Sequence, residues 1–318
     1  MSTPSITRRC GIAATILALS FSMTACNRQS SSGGADANAS GKQVTMALST
    51  LNNPFFISVR DGAMEQAKAD GITLNVVDAQ NDPATQANQL ADAATKQQAA
   101  VIINPVDSDA AGTAVKPLLT AKVPVIAVDR AVTGADLTSF IASDNVAGGK
   151  QAAQALAKSI NDKGKIIVID GTPGTSAARD RGKGFTDEIK KHPGITVVAR
   201  QPANFDRTKG LDVTTNLLQG HSDVTAIFAA NDEMALGAVK ALGSKAGSVK
   251  VFGFDGTTDG LAAIKNGTMA GTIAQQPDEL GKQAVKMAQK AINNEDVTKT
   301  VPVEVKTVTN ANVAEYLK

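Results

Sequence analysis

From residue 44 onward, short apolar runs rich in β-branched residues alternate with amphipathic stretches, and this alternation constrains the fold more than any other feature. The runs cover 44–48, 73–77, 100–103, 124–128, 165–169, 196–199, 224–229, 250–254 and 270–274. Each is too short for a helix. That pattern suits strands buried on both faces, which need helical crossovers between them. Between the runs the period changes: over 145–160, Val146, Gly149, Ala153, Leu156 and Ile160 recur at three- and four-residue steps, with Lys150 and Lys158 off that stripe. The expectation is an α/β fold of doubly wound parallel sheets covered by helices, with enough chain after Gln43 for two domains.

In open α/β sheets ligands bind at the carboxyl ends of strands. Six such ends carry hydrogen-bonding side chains: Asn53 soon after the first run, then Asn104, the pair Asp129 and Arg130, Asn231, Asp255 and Gln275, each directly following or close behind a run. Taken singly, Asn and Asp at these places suit helix caps and turns. Repeated over both halves of the chain, they suit a ligand with many hydroxyls, because an amide donates and accepts as a hydroxyl does. The segment Ser49-Thr50-Leu51-Asn52-Asn53-Pro54-Phe55-Phe56 adds two adjacent aromatics to the first exit. In a chain with 3% aromatic residues, no Trp and one Tyr, that pair is conspicuous. A Phe ring is core material in general, but its flat face also covers the C–H face of a sugar ring.

The first residues read as an address. Arg8 and Arg9 precede an apolar run over 11–22 that is too short to span a bilayer and suits a signal-peptide core. The run ends in Met23-Thr24-Ala25-Cys26, which resembles a bacterial lipobox with Met23 in place of the commoner Leu. A signal peptide over 1–25 and lipidation at Cys26 are expected. Cys10 and Cys26 are the two cysteines, so removal of the signal leaves no partner for a disulfide. Residues 26–42, small and polar, read as a tether with a reach of about 20 Å.

Other classes fit poorly. A formal charge of +2 and 19% charged residues give no basic footprint for nucleic acid. Gly148-Gly149-Lys150 and Gly182-Lys183 lack the upstream glycine of a phosphate loop, and no Cys/His metal spacing or cofactor fingerprint is present. His192 and His221 stand in turn-like stretches without a nucleophile elbow. A glycosidase using Asp129 and Asp255 is disfavoured because a neighbouring Arg is expected to lower a carboxyl pKa, where a general acid needs it raised. A sugar-responsive repressor of the same fold would start with a helix-turn-helix, not an export signal.

From about Val44 to the C-terminus the chain resembles the bacterial periplasmic ribose-binding proteins of the type I sugar-binding family. The shared segments include Ser49 to Phe56, Ile103-Asn104-Pro105, Ile141-Ala142-Ser143-Asp144-Asn145, Gly174-Thr175-Ser176-Ala177-Ala178-Arg179, Phe205-Asp206-Arg207, Asn231 to Gly237, Gly253-Phe254-Asp255-Gly256 and Thr272-Ile273-Ala274-Gln275. The resemblance implies sugar contacts from Asn53, Phe55, Phe56, Asn104, Asp129, Arg130, Arg181, Phe205, Asn231, Asp255 and Gln275, and no departure occurs at these positions. It implies a type I periplasmic binding protein fold with hinge crossings near Ser143-Asp144, Gln275-Gln276 and Glu304-Val305. One lobe would hold 43–143 plus 276–304, the other 144–275 plus 305–318. The implied function is capture of D-ribose by hinge closure and delivery to an ABC-type permease, by a monomer without cofactor, with a chemotaxis receptor as second partner in some relatives. Allose, another aldopentose or a ribose-like furanosyl molecule is the alternative ligand. Two carboxylates and two guanidiniums balance, which favours a neutral sugar over a phosphorylated one.

Overall fold

A computed structural model describes residues 42–317. The expected signal peptide, Cys26 and the tether up to residue 41 lie outside the described residues. Among the described residues, no helix is long and apolar enough to cross a membrane.

The chain runs β1 (Gln43–Leu48), α1 (Pro54–Ala69), β2 (Thr73–Asp78), α2 (Pro83–Thr95), β3 (Ala100–Ile103), α3 (Ser108–Ala114), α4 (Lys116–Thr120), β4 (Val125–Val128) and β5 (Ser139–Ser143). It continues α5 (Asn145–Ser159), β6 (Gly164–Asp170), α6 (Ser176–Ile189), β7 (Ile195–Pro202), α7 (Arg207–Gly220), β8 (Ala226–Ala229), α8 (Asp232–Leu242), β9 (Lys250–Asp255), α9 (Thr258–Lys265) and β10 (Gly271–Ala274). Helix α10 (Pro277–Ile292) and strands β11 (Thr300–Val303) and β12 (Lys306–Thr309) follow.

These strands form two six-stranded sheets, in the orders β11-β5-β4-β3-β1-β2 and β12-β10-β9-β8-β6-β7. Every neighbour in the first sheet is parallel, whereas β12 pairs antiparallel with β10 in the second. Strands β3, β4, β8 and β10 are buried at every residue, as parallel strands covered on both faces must be. Each sheet has an apolar cluster on either face: one of Met46, Val59, Ile102 and Leu280 opposes one of Leu90, Ile103 and Leu118, and the second sheet repeats the arrangement around Phe228 and Ile227. The chain passes between the sheets after β5, after β10 and between β11 and β12.

Strands β5, β11 and β12 were not expected from the apolar pattern, and the helix stripe expected to include Val146 and Ile160 runs instead through Asn145, Gly148, Gly149, Ala152, Ala153, Leu156 and Ala157. Val146 is 42% exposed. The reason lies in packing: Gly149 and Gly184 bring α5 and α6 into backbone contact, where a Cβ on Gly184 would lie 2.0 Å from the Val146 carbonyl oxygen. Bare backbone, not the Val146 side chain, faces the neighbouring helix there.

Candidate functional site

Strand exits from both sheets converge on one small cavity, lined by Asn53, Phe55, Phe56, Asp129, Arg130, Ala177, Arg181, Phe205, Asn231 and Asp255. The first sheet supplies Asn53 after β1 and Asp129-Arg130 after β4. The second supplies Asn231 after β8 and Asp255 at the end of β9, with Arg181 reaching in from α6. Asn104 and Gln275 do not line the cavity; they stand behind it. The Asn104 amide donates to Asp129 Oδ2 at 3.1 Å, and the Gln275 amide donates to Asp255 Oδ1 at 2.7 Å.

The amides are less free than their side-chain types suggest. Asn53 Oδ1 accepts from the Phe55 N–H at 2.9 Å, and Asn231 Oδ1 accepts from the Met234 N–H at 2.9 Å, so each is the N-cap of the helix that follows. Asn104 has both ends committed, accepting from the Ser49 N–H and donating to Asp129 and to the Val128 carbonyl. Donating and accepting freely was expected of all of them; helix capping and the need to satisfy buried polar atoms take up that capacity first. For Asn53 the uncommitted group is the amide N–H₂.

Three aromatic rings wall the space. Phe55 and Phe56 meet edge to face with centroids 5.3 Å apart. The Arg130 guanidinium lies 5.2 Å from the Phe56 ring centre, and that of Arg181 lies 3.9 Å from the ring of Phe254 behind the wall. Phe205 enters beside Gly171, where a Cβ would sit 2.0 Å from its ring. Three cavity residues hold left-handed backbone, Asp129 at φ 64°, Phe205 at φ 59° and Asp255 at φ 132°. Such strain costs on the order of 1–3 kcal/mol per residue and concentrates at ligand clamps.

Electrostatics are set by burial. Asp129, Arg130, Arg181 and Asp255 are each less than 5% exposed. Burial pushes the Asp129 carboxyl above its ordinary value, against the pull of Arg130, Arg181 and Asn104. It pushes Asp255 further up, again against Arg181 and with Asp232 adding to the rise. Arg130 is brought down to about 10 by the same burial. The expected lowering of the two carboxyls is therefore overturned: loss of water outweighs the neighbouring guanidiniums, which stand 3.6 Å away rather than in contact. Three atoms here have no protein partner, the acceptors Asp129 Oδ1 and Gln275 Oε1 and the donor Arg130 Nε.

Direct bonds join the two halves at the rim. Ser108 N–H donates to the Gly174 carbonyl at 3.1 Å, Ser176 N–H to Ser108 Oγ at 3.0 Å, and Ala131 N–H to Ser176 Oγ at 2.8 Å. Ala177, which sequence reasoning missed, lies four residues before Arg181 on α6, and that spacing places both on one helix face.

A pair of α/β halves with a small, charge-paired, aromatic-walled cavity at their facing strand ends defines a solute-binding protein. Residues 44–296 match the periplasmic binding protein domain, and the chain belongs to that family. Membership implies an extracytoplasmic location. The chain is 49% identical over 274 residues to the ribose import binding protein RbsB of Salmonella typhimurium, covering 86% of this chain and 92% of that protein. Among solved structures, an ABC transporter solute binding protein from Bacillus halodurans with bound myo-inositol superimposes with a TM-score of 0.84 at 33% identity, covering 88% of this chain and 99% of the other. One from Actinobacillus succinogenes with bound D-allose gives 0.82 at 32%, covering 86% and 100%.

Proposed function

We propose that the protein captures D-ribose outside the cytoplasm, closes over it by hinge bending, and delivers it to an ABC-type permease. The observation that carries this reading is the adjacent unpartnered acceptor and donor, Asp129 Oδ1 and Arg130 Nε, inside a cavity walled by Phe55, Phe56 and Phe205. A neutral sugar supplies hydroxyls to both atoms and C–H faces to the rings, and adds no charge to a balanced set of Asp and Arg. The name of the Salmonella typhimurium relative supports ribose within that class. Closure is a population shift: a ligand touching both halves stabilises the closed form only through contacts that the open form lacks.

In this reading the halves divide as 43–143 plus 276–304 and 144–275 plus 305–318, hinged where the chain passes between sheets. The protein works as a monomer, binds without catalysing turnover, is held to a membrane through Cys26, and engages the permease and, in a second role, a chemotaxis receptor. Asn104 and Gln275 hold the two carboxylates, while the other nine residues touch sugar. The D-allose-bound relative favours allose as the second reading.

Titration calorimetry against ribose, allose, arabinose, xylose and ribose 5-phosphate tests the assignment. Ribose is expected to bind most tightly and the phosphate ester not at all. At about a hundred times its dissociation constant, ribose adds about 2.7 kcal/mol to stability. Binding of another aldose without binding of ribose overturns the reading.

A further inference from the structure

We propose that Asp232, one residue beyond the cavity wall, is the positioning residue that holds the β8, β9 and β10 ends of the site in the geometry that receives sugar. This deepens the sugar-binding reading and rests on it. Asp232 is fully buried, does not line the cavity, and has no ammonium or guanidinium within ion-pair distance among the described residues. Its Oδ2 accepts from the Gly256 N–H at 2.9 Å, the Thr257 N–H at 2.8 Å and the Thr257 hydroxyl at 3.0 Å. Its Oδ1 accepts from the Thr272 hydroxyl at 2.6 Å. Four donors and no acceptor surround it, the environment of a carboxylate.

The backbone around this side chain is shaped to it. A Cβ on Gly253 would lie 2.2 Å from Asp232 Oδ1, and one on Gly260 would lie 2.3 Å from Oδ2. Burial pushes the carboxyl up to about 6 even against these hydrogen bonds, so a buried acid is kept here at a cost. Its bonds lead to Asp255 by two routes. Gly256 and Thr257 follow Asp255 directly and anchor a residue whose backbone sits at φ 132°. Thr272 is paired with Gly253 and lies three residues before Gln275, whose amide holds Asp255 Oδ1. Asn231, on the other side of Asp232, lines the cavity itself.

The test measures ribose affinity in Asp232→Ala, Asp232→Asn and Thr272→Val, with double-mutant cycles against Asp255→Asn and, on the opposite half, Asn53→Ala. Asp232→Ala is expected to weaken binding about tenfold or more, as a buried network losing its acceptor does. Asp232→Asn keeps one acceptor for the Gly256–Thr257 turn and should recover most of that loss. The Asp232→Ala penalty should shrink in the Asp255→Asn background and persist in full with Asn53→Ala. A role limited to fold stability would make both cycles additive and make affinity follow the melting temperature; that result, or unchanged affinity in Asp232→Ala, overturns the inference. If Asp232→Ala does not fold, Thr272→Val carries the same pair of cycles. If the wild-type protein binds allose and not ribose, the ribose assignment fails while the cycles, run with allose, still decide the role of Asp232.

Discussion

The Arg130 guanidinium, carried by the exit of β4, lies 5.5 Å from the ring centre of Phe205, which belongs to the half built on the other sheet. Phe56 flanks the same cation at 5.2 Å. One charge is therefore held between aromatic faces from both halves, and that arrangement exists only while the halves are together.

Removing the ring tests this bridge. Phe205→Ala loses apolar cover for the ligand and a cation–π contact, together about 2 kcal/mol. Ribose affinity should fall about thirtyfold. Small-angle scattering with saturating ribose should show a less compact protein than the wild type. A variant that binds and compacts normally would show that Phe205 only fills space.

The raised carboxyls predict how the sugar-free protein responds to acid. A carboxyl whose pKa is higher folded than unfolded binds protons more tightly in the native state, so stability rises as pH falls through the folded pKa and levels off below the unfolded one. Asp232, at about 6 against an ordinary 3.8, places its window between about pH 7 and 4, and Asp129 and Asp255 act in the same direction. The gain from Asp232 is on the order of 1–3 kcal/mol. Thermal unfolding from pH 7 down to pH 5 should show a rising midpoint, with a smaller rise in Asp232→Asn. Identical slopes in the two proteins would remove Asp232 as the source.

Contact between α5 and α6 gives a stability prediction. Gly184→Ala places a Cβ 2.0 Å from the Val146 carbonyl, and the neighbouring Val146 and Lys150 backbone cannot yield without moving α5. Overpacking of this kind costs about 1–3 kcal/mol. The urea midpoint should fall accordingly. Because Arg181 Nε donates to Asn145 Oδ1 at 2.8 Å across the same helix pair, ribose affinity should weaken with it.

Much of this arrangement is legible from residue order alone, because continuous apolar runs mark strands buried on both faces and the residues just beyond them must lie at carboxyl ends. Strand β11 escapes that reading through Pro302, which a central strand excludes but an edge strand tolerates, and β11 is an edge of its sheet. Strand β12, also an edge, holds Val308 among Lys306, Thr307 and Thr309 and runs antiparallel, so it carries no apolar run. In the site, residue types point to Asp129 and Asp255 but not to their protonation behaviour. The nearness of an Arg is visible in sequence at Asp129-Arg130, whereas the completeness of burial that outweighs it is a property of packing. The commitment of Asn53 and Asn231 to helix caps is written in their positions before α1 and α8, and competes with ligand binding only once both demands fall on one side chain.

Arg130 itself supplies the last prediction. Its Nη1 donates to the Pro105 carbonyl at 3.0 Å, its plane lies near two rings, and its Nε is left for a ligand hydroxyl. These are demands that a planar fork meets together and a single ammonium meets one at a time. Arg130→Lys preserves charge and most of the side chain's length, so a purely coulombic role would leave affinity nearly unchanged. If the fork matters, the buried Pro105 carbonyl or the ligand hydroxyl loses its donor, at about 1–3 kcal/mol. Calorimetry should then give an affinity lower by about tenfold to a hundredfold, and loss of the donor to the Pro105 carbonyl should also lower the melting temperature of the sugar-free protein. Retained affinity in the Lys variant would reduce Arg130 to a source of charge.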